Sequence, residues 1–222
     1  VQKDKAVVYS GANPLTDFSQ LGEGTYKITL KVKNQDGLWS EEFSRYVVIT
    51  SDKQEPEIFV TPARSDDTNQ DIHVLMVFVD EGGSGFDAHR YVVTNSASFP
   101  TDGWSSWDTS TERQIMLTEE GTWYIHVEAK DKEGNMTRRT IGEYRIDKTP
   151  PAKPTIIASE TKPTNQNVVV EIQFADDVAK RMVKVGNEGD WVEYAGPIVL
   201  EHNGVIYAKA QDLAGNWSEE AV

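Results

Sequence analysis

One strand-and-turn unit occurs three times in this chain, and that repetition constrains the fold more than any other feature. The copies are "GTYKITLKVKNQDGLWS" from Gly24, "GTWYIHVEAKDKEGNMT" from Gly121 and "GVIYAKAQDLAGNWS" from Gly204. From the opening Gly to the turn Gly the first two copies advance 13 positions and the third advances 11. Strand side chains alternate with period 2, so a deletion of two leaves every residue on its own face. Tyr26, Ile28, Leu30 and Val32 therefore oppose Lys27, Thr29, Lys31 and Lys33. Likewise Trp123, Ile125, Val127 and Ala129 oppose Tyr124, His126, Glu128 and Lys130, which predicts strands with one face in a core and one in water.

The turn has one chemistry in all copies: Asn34, Asp131 or Asp212, two variable residues, then Gly37, Gly134 or Gly215. A short Asx side chain accepts backbone N–H groups a few residues on, and Gly takes the positive-φ position that closes the loop. Two positions past the Gly stand Trp39, Met136 and Trp217. Exchange of Trp for Met predicts a side chain that roofs the end of a core rather than an aromatic ligand platform. The patterns "NMT" (135–137) and "NWS" (216–218) match glycosylation sequons, but their place in the turn already accounts for the Asn.

Proline-containing connections repeat as well. "DKQEP" (52–56) and "DKTPP" (147–151) each follow a strand and lead into another, and proline stiffens such a segment toward an extended linker. The division predicted is 1–51, the closing strands of a partial domain; 52–148, a complete domain of the length of an immunoglobulin-like sandwich; and 149–222, a domain whose last strand is truncated. The expectation is an all-β, elongated array of tandem immunoglobulin-like β-sandwiches, cut from a longer one, with incomplete domains at both ends.

"GTWYIHVEAKDKEGNMT" followed by "YRIDKTPP", together with "DWVEYAGPIVLEHNGVIYAKAQDLAGNWSE", resembles the tandem bacterial Ig-like repeats of large secreted and cell-surface proteins, including OmpL47-like β-domains. "GTYKITLKVKNQDG" looks equally like the closing strands of a PKD-like domain. The resemblance implies a noncatalytic extracellular module, secreted or associated with the cell surface or cell wall. Its role would be spacer, stalk or adhesive region, and its partners neighbouring domains of the same polypeptide and, for an adhesive region, a glycan or a host surface protein. The alternative is a carbohydrate-binding accessory module of a secreted glycoside hydrolase. Fold does not fix function in this class.

Charge narrows the partners. Against 22 Lys+Arg stand 36 Asp+Glu, a formal charge of −14 that disfavours nucleic acid and anionic lipid surfaces. No apolar run approaches the ~20 residues needed for insertion in a membrane, and the first residues carry no hydrophobic signal region. With no cysteine there is neither a disulfide nor a thiolate metal site.

For chemistry the chain offers little. The histidines are His73, His89, His126 and His202, none at ligand spacing to another, and alternation places His126 on a solvent face. No nucleophile-elbow, zincin or P-loop motif occurs, so no catalytic residue is assigned and no cofactor is expected. The loop "VDEGGSGFDAHR" (79–90) gathers Asp80, Glu81 and Asp87, oxygen donors of the kind that hold Ca²⁺, although the spacing of a calcium loop is absent and a solvated turn is the plainer reading. An interdomain calcium using Asp147 is a variant of the same idea. The pair Trp104 and Trp107 matches Trp191 and Tyr194 as a repeated W-x-x-[W/Y] element. Positions three apart on a strand face opposite sides, so one ring should enter the core and the other lie outside. The repetition favours packing, and an exposed ring would be the place for a sugar to stack.

Overall fold

The computed structural model describes residues 2, 3, 6, 7, 10, 11, 21–81 and 83–222. The chain is all-β, built of small antiparallel sheets with no helix among the described residues. Consequently no described helix is long and apolar enough to cross a membrane.

The first group of strands is β1 (Gln2–Lys3), β2 (Ala6–Val7), β3 (Gly24–Leu30) and β4 (Phe43–Ile49), in the order β2-β1-β3-β4. Tyr26 is buried on β3, and its hydroxyl donates to the Gly22 carbonyl at 2.6 Å. Leu30, Val32, Phe43 and Val48 are exposed, so the alternation that predicts a buried face over residues 26–32 holds at Tyr26 and fails at Leu30 and Val32.

The central group is a two-layer sandwich. One sheet runs β5 (Glu57–Thr61), β6 (Ile72–Val79), β8 (Glu112–Leu117); the other runs β7 (Phe86–Thr94), β9 (Gly121–Asp131), β10 (Met136–Ile146) in the order β10-β9-β7. The chain changes sheet between β6 and β7, returns at β8, crosses again to β9, and closes with the β9–β10 hairpin. This is the Greek-key path of an immunoglobulin-like sandwich. Every second residue of β6 (Ile72, Val74, Met76, Phe78) meets Ile125, Val127 and Ala129 of β9 and Ile141, Tyr144 and Ile146 of β10 in one core. Truncating a fully buried ring such as Phe78 to Ala would cost about 3–5 kcal/mol.

The last group repeats the plan with β11 (Thr155–Ala158), β12 (Val168–Gln173) and β15 (Ile198–Leu200) opposite β14 (Val192–Glu193), β13 (Val178–Val185) and β16 (Ile206–Asp212). Val170, Ile172, Val183, Ile206 and Ala208 form its own core, and an isolated bridge between Ala208 and Ala221 starts a further pairing on β16.

Strand β16 alternates cleanly, but β9 does not. His126 and Glu128, predicted to face water, are 0% and 2% exposed. The reason is the excursion between β7 and β8, which folds back over the outer face of the sheet. It is held there by Ser105 N–H to Tyr91 O (2.9 Å), by a bridge between His89 and Asp108, and by a 2.9 Å contact between His126 Nε2 and Ser96 O. Burial on that face is tolerated because its polar groups are paired, His126 with Thr140 and Thr94 as well.

His89 on β7 is also fully buried, stacked 4.1 Å from Phe78, with Nδ1 3.1 Å from the Ser110 carbonyl. Desolvation lowers its pKa below 6.5, a shift that Asp108 opposes and Arg113 reinforces. The unfolded chain therefore takes up a proton that the native state refuses, so stability present above about pH 6.5 declines as the pH falls below it. Urea unfolding of the full chain between pH 7.5 and 5 should show this decline, and His89→Phe, which keeps the ring stack, should make the curve flatter than wild type.

Candidate functional site

The turn residues do more than close hairpins. Asp131 ends β9 with both carboxylate oxygens engaged by one residue: Oδ1 accepts Asn135 N–H at 2.8 Å and Oδ2 accepts Asn135 Nδ2 at 2.6 Å. The same Nδ2 donates to the backbone carbonyl of Asp52 at 3.1 Å, four residues before the buried Pro56. In the last group Asp212 holds Asn216 by the same two bonds (2.8 and 2.9 Å), and Asn216 Nδ2 donates to the carbonyl of Asp147 at 2.9 Å. The Asx-x-x-Gly-Asn turn is thus a clamp on the preceding Pro-containing linker. Positive φ at Gly134 (92°) and Gly215 (99°) is what turns the following Asn back toward its own Asp. In the first copy Leu38 stands where the clamp has Asn; its backbone N–H donates to Asn34 Oδ1 and its carbonyl accepts Asn34 N–H, but it carries no side-chain amide.

Around the first clamp the Gly-rich loop closes in. Asp52 Oδ2 accepts Ser84 N–H at 2.8 Å and Oδ1 accepts Gln54 N–H at 2.9 Å. These two donors, Ser84 first, hold the Asp52 carboxyl below the ordinary carboxylate value. A side chain at 83 would collide with the Asp52 carboxylate, which accounts for Gly83. Asp80, just beyond β6, turns in from the third side. One carboxylate oxygen each from Asp52, Asp80 and Asp131 lies within 4.8 Å of the others, an arrangement that could hold a hard cation.

Of the acidic residues singled out from the loop, the structure brings only Asp80 into this cluster. Glu81 is exposed, and Asp87 pairs with Lys130 at 2.8 Å. Asp147 belongs to the second junction, where Oδ1 accepts Thr149 N–H. There the chain also makes a direct contact between groups, Asn69 N–H to Ala214 O at 3.1 Å.

The tryptophans take a different place from the one their repetition predicts. Trp39 is 63% and Trp217 39% exposed; neither roofs a core. Each lies over a lysine of its own hairpin, Trp39 beside Lys33 and Trp217 4.6 Å from Lys209. Strand β16 is lined on that face by Lys209 and Tyr207 without a covering excursion, so the indole finds an aliphatic stem and a cation instead of an apolar layer. Trp104 and Trp107 both lie on the outer face, with the Arg90 guanidinium 4.9 and 4.8 Å from their rings, and Lys130 4.9 Å from Trp107. Beneath, Arg90 pairs with the buried Glu128 at 2.6 Å, and Arg138 pairs with it at 2.8 Å. In the last group the pair is split: Trp191 stacks outside on Lys209 (4.3 Å), while Tyr194 packs against the core and its hydroxyl accepts Ile172 N–H at 3.1 Å. One-in, one-out therefore describes Trp191 and Tyr194 but not Trp104 and Trp107.

No family model matches the chain, and no curated protein matches it. Solved structures with similar folds include fibronectin(III)-like modules of CbhA from Clostridium thermocellum (13% identity, TM-score 0.35, covering 74% of this chain and 90% of that one). Others are domains A168–A170 of titin (11%, 0.46, 90% and 74%) and a tetra-tandem repeat from the extending region of a large adhesion protein (17%, 0.33, 92% and 57%). The immunoglobulin-like class is defined here by the sheet order and crossings of the two sandwiches themselves.

Arg90→Met leaves buried Glu128 with Arg138 alone and should cost about 3 kcal/mol, the low end for breaking a buried pair. Trp217→Ala should cost only about 0.5–1 kcal/mol, the worth of an exposed cation–π contact. Denaturant unfolding of the two variants checks the ordering.

Proposed function

We propose that this chain is a noncatalytic stretch of a larger extracellular protein of the bacterial surface or secreted class, whose immunoglobulin-like modules space and orient neighbouring regions. The proposed modules are 1–51, 52–148 and 149–222. The observation that carries the reading is the clamp built twice: Asn135 on the carbonyl of Asp52 and Asn216 on that of Asp147. A flexible tether needs no such bond, whereas a spacer must fix each linker to the sandwich that follows it. The second junction adds Lys148 Nζ to Asp71 (2.7 Å) and Thr149 Oγ1 to Glu120 (2.9 Å), ties that secure the linker to the sandwich before it. The likeness of residues 121–151 and 190–219 to bacterial Ig-like repeats, OmpL47-like ones among them, supports the extracellular setting. Partners on this reading are the adjoining modules of the same polypeptide.

A second reading, adhesion to a neutral glycan, draws on one feature. A shallow cavity of about 400 Å³ is lined by Tyr91, Ser105, Trp107, Asp108 and Arg113, an aromatic wall among polar groups. The cations already beside Trp107 weigh against it, because a pyranose would compete with them for the ring.

Small-angle scattering of the full chain should give an elongated particle with a narrow distance distribution, broadened in the double variant Asn135→Ala/Asn216→Ala while circular dichroism stays unchanged. A compact particle, or a distribution already broad in the wild type, would contradict the spacer. Binding on a neutral-glycan array that is lost in Trp107→Ala would favour the second reading.

A further inference from the structure

Three carboxylates with oxygens inside 4.8 Å of one another repel, and proteins bury such a set only when a cation sits among them or protons neutralise it. Asp131 is 1% exposed. Both carboxylate oxygens of Asp80 are sealed from solvent and meet no hydrogen-bond donor among the described residues. No ion pair formed among the described residues involves Asp52, Asp80 or Asp131. Buried polar atoms without partners call for an ion or a water, and two such atoms on one carboxylate aimed at two further carboxylates call for a cation.

We propose that Asp52, Asp80 and Asp131 bind one Ca²⁺ at the junction of the first linker, the Gly-rich loop and the β9–β10 hairpin. The donor set selects the metal. Ca²⁺ accepts the irregular all-oxygen geometry of carboxylates drawn from three separate segments, whereas Mg²⁺ demands near-ideal octahedral geometry at about 2.0–2.1 Å. The partners already present leave room for an ion. Asp80 has all its acceptor capacity free, and Asp52 and Asp131 each retain lone pairs beyond the backbone and amide bonds they accept. The ion would tie three segments at one point: the residue that begins the linker, the loop whose Ser84 N–H already reaches Asp52, and the Asp that anchors the Asn135 clamp.

The last sandwich supplies an internal comparison. Asp147 and Asp212 repeat the linker and hairpin positions, but Asp176, which follows Phe174 as Asp80 follows Phe78, is exposed on a turn. The same three-carboxylate cluster is not formed there among the described residues. Among the described residues the site therefore forms at the first junction.

The inference goes beyond the spacing role and stands apart from it: the ion binds whether or not the modules keep a fixed arrangement. The test is calorimetric titration of the EGTA-stripped full chain with CaCl₂, in parallel with MgCl₂, together with thermal unfolding. One Ca²⁺ per chain is expected, with a Kd in the range of about 10⁻⁴–10⁻³ M or tighter that extracellular modules show, a rise in Tm with calcium, and Mg²⁺ at least tenfold weaker. Asp80→Asn should weaken calcium at least tenfold and raise the Tm of the metal-free chain by relieving repulsion, an effect that a merely structural Asp80 would not produce. Asp176→Asn should bind as wild type does. Absence of binding up to 10-fold above that range, equal affinity for Mg²⁺, or undiminished binding by Asp80→Asn would each overturn the proposal.

Discussion

Everything distinctive about the junctions depends on a single residue type at the end of a strand: the Asp that closes β9 and β16 and fixes an Asn behind a positive-φ Gly. Its carboxylate is buried, and it takes two hydrogen bonds from one neighbour, one from the backbone and one from the side chain. With both carboxylate bonds in place, the Asn amide has a remaining donor, and that donor points at the linker carbonyl. The hairpin, an element that serves sheet closure in any antiparallel fold, thereby becomes the contact that sets how one sandwich meets the chain before it. The bond is worth about 0.5–1.5 kcal/mol net, too little to hold a fold but enough to bias a linker strongly toward one geometry.

The central and last sandwiches solve the problem of their outer face differently. In the central one a polar excursion covers strand β9, so that His126 and Glu128 are inside a paired network and Trp104 and Trp107 sit over the Arg90 that neutralises Glu128. In the last one the connection is short, the same strand face carries Tyr207 and Lys209, and Trp191 and Trp217 stack on the lysine. Cation and aromatic occur together in both, which explains why the tryptophans recur in sequence without being core residues. An indole laid along a lysine stem takes part of its apolar surface out of water while leaving the ammonium hydrated.

Sequence periodicity carried the strand class and the core face of β9 because alternation is a direct record of which face is dry. It misplaced His126 and Glu128 because a covering segment buries a face without changing its polarity, and hydrogen bonding then stands in for apolar character. It misplaced Trp39 and Trp217 because a large apolar residue at a turn reads the same whether it caps a core or shields a lysine. Of the acidic cluster, Asp80 was visible as part of a loop, but Asp52 and Asp131 are 28 and 51 positions away from it and come together only through the fold. The one available signal was the Asn after each turn Gly in the second and third copies. It is replaced by Leu38 in the first.

The central claim is that the linkers are held, not merely stiff. The most direct measurement is backbone ¹⁵N relaxation across residues 52–56 and 147–149 in the full chain. Order parameters near about 0.85, equal to those of the flanking strands, are the result the account predicts, and values below about 0.6 at either linker would contradict it.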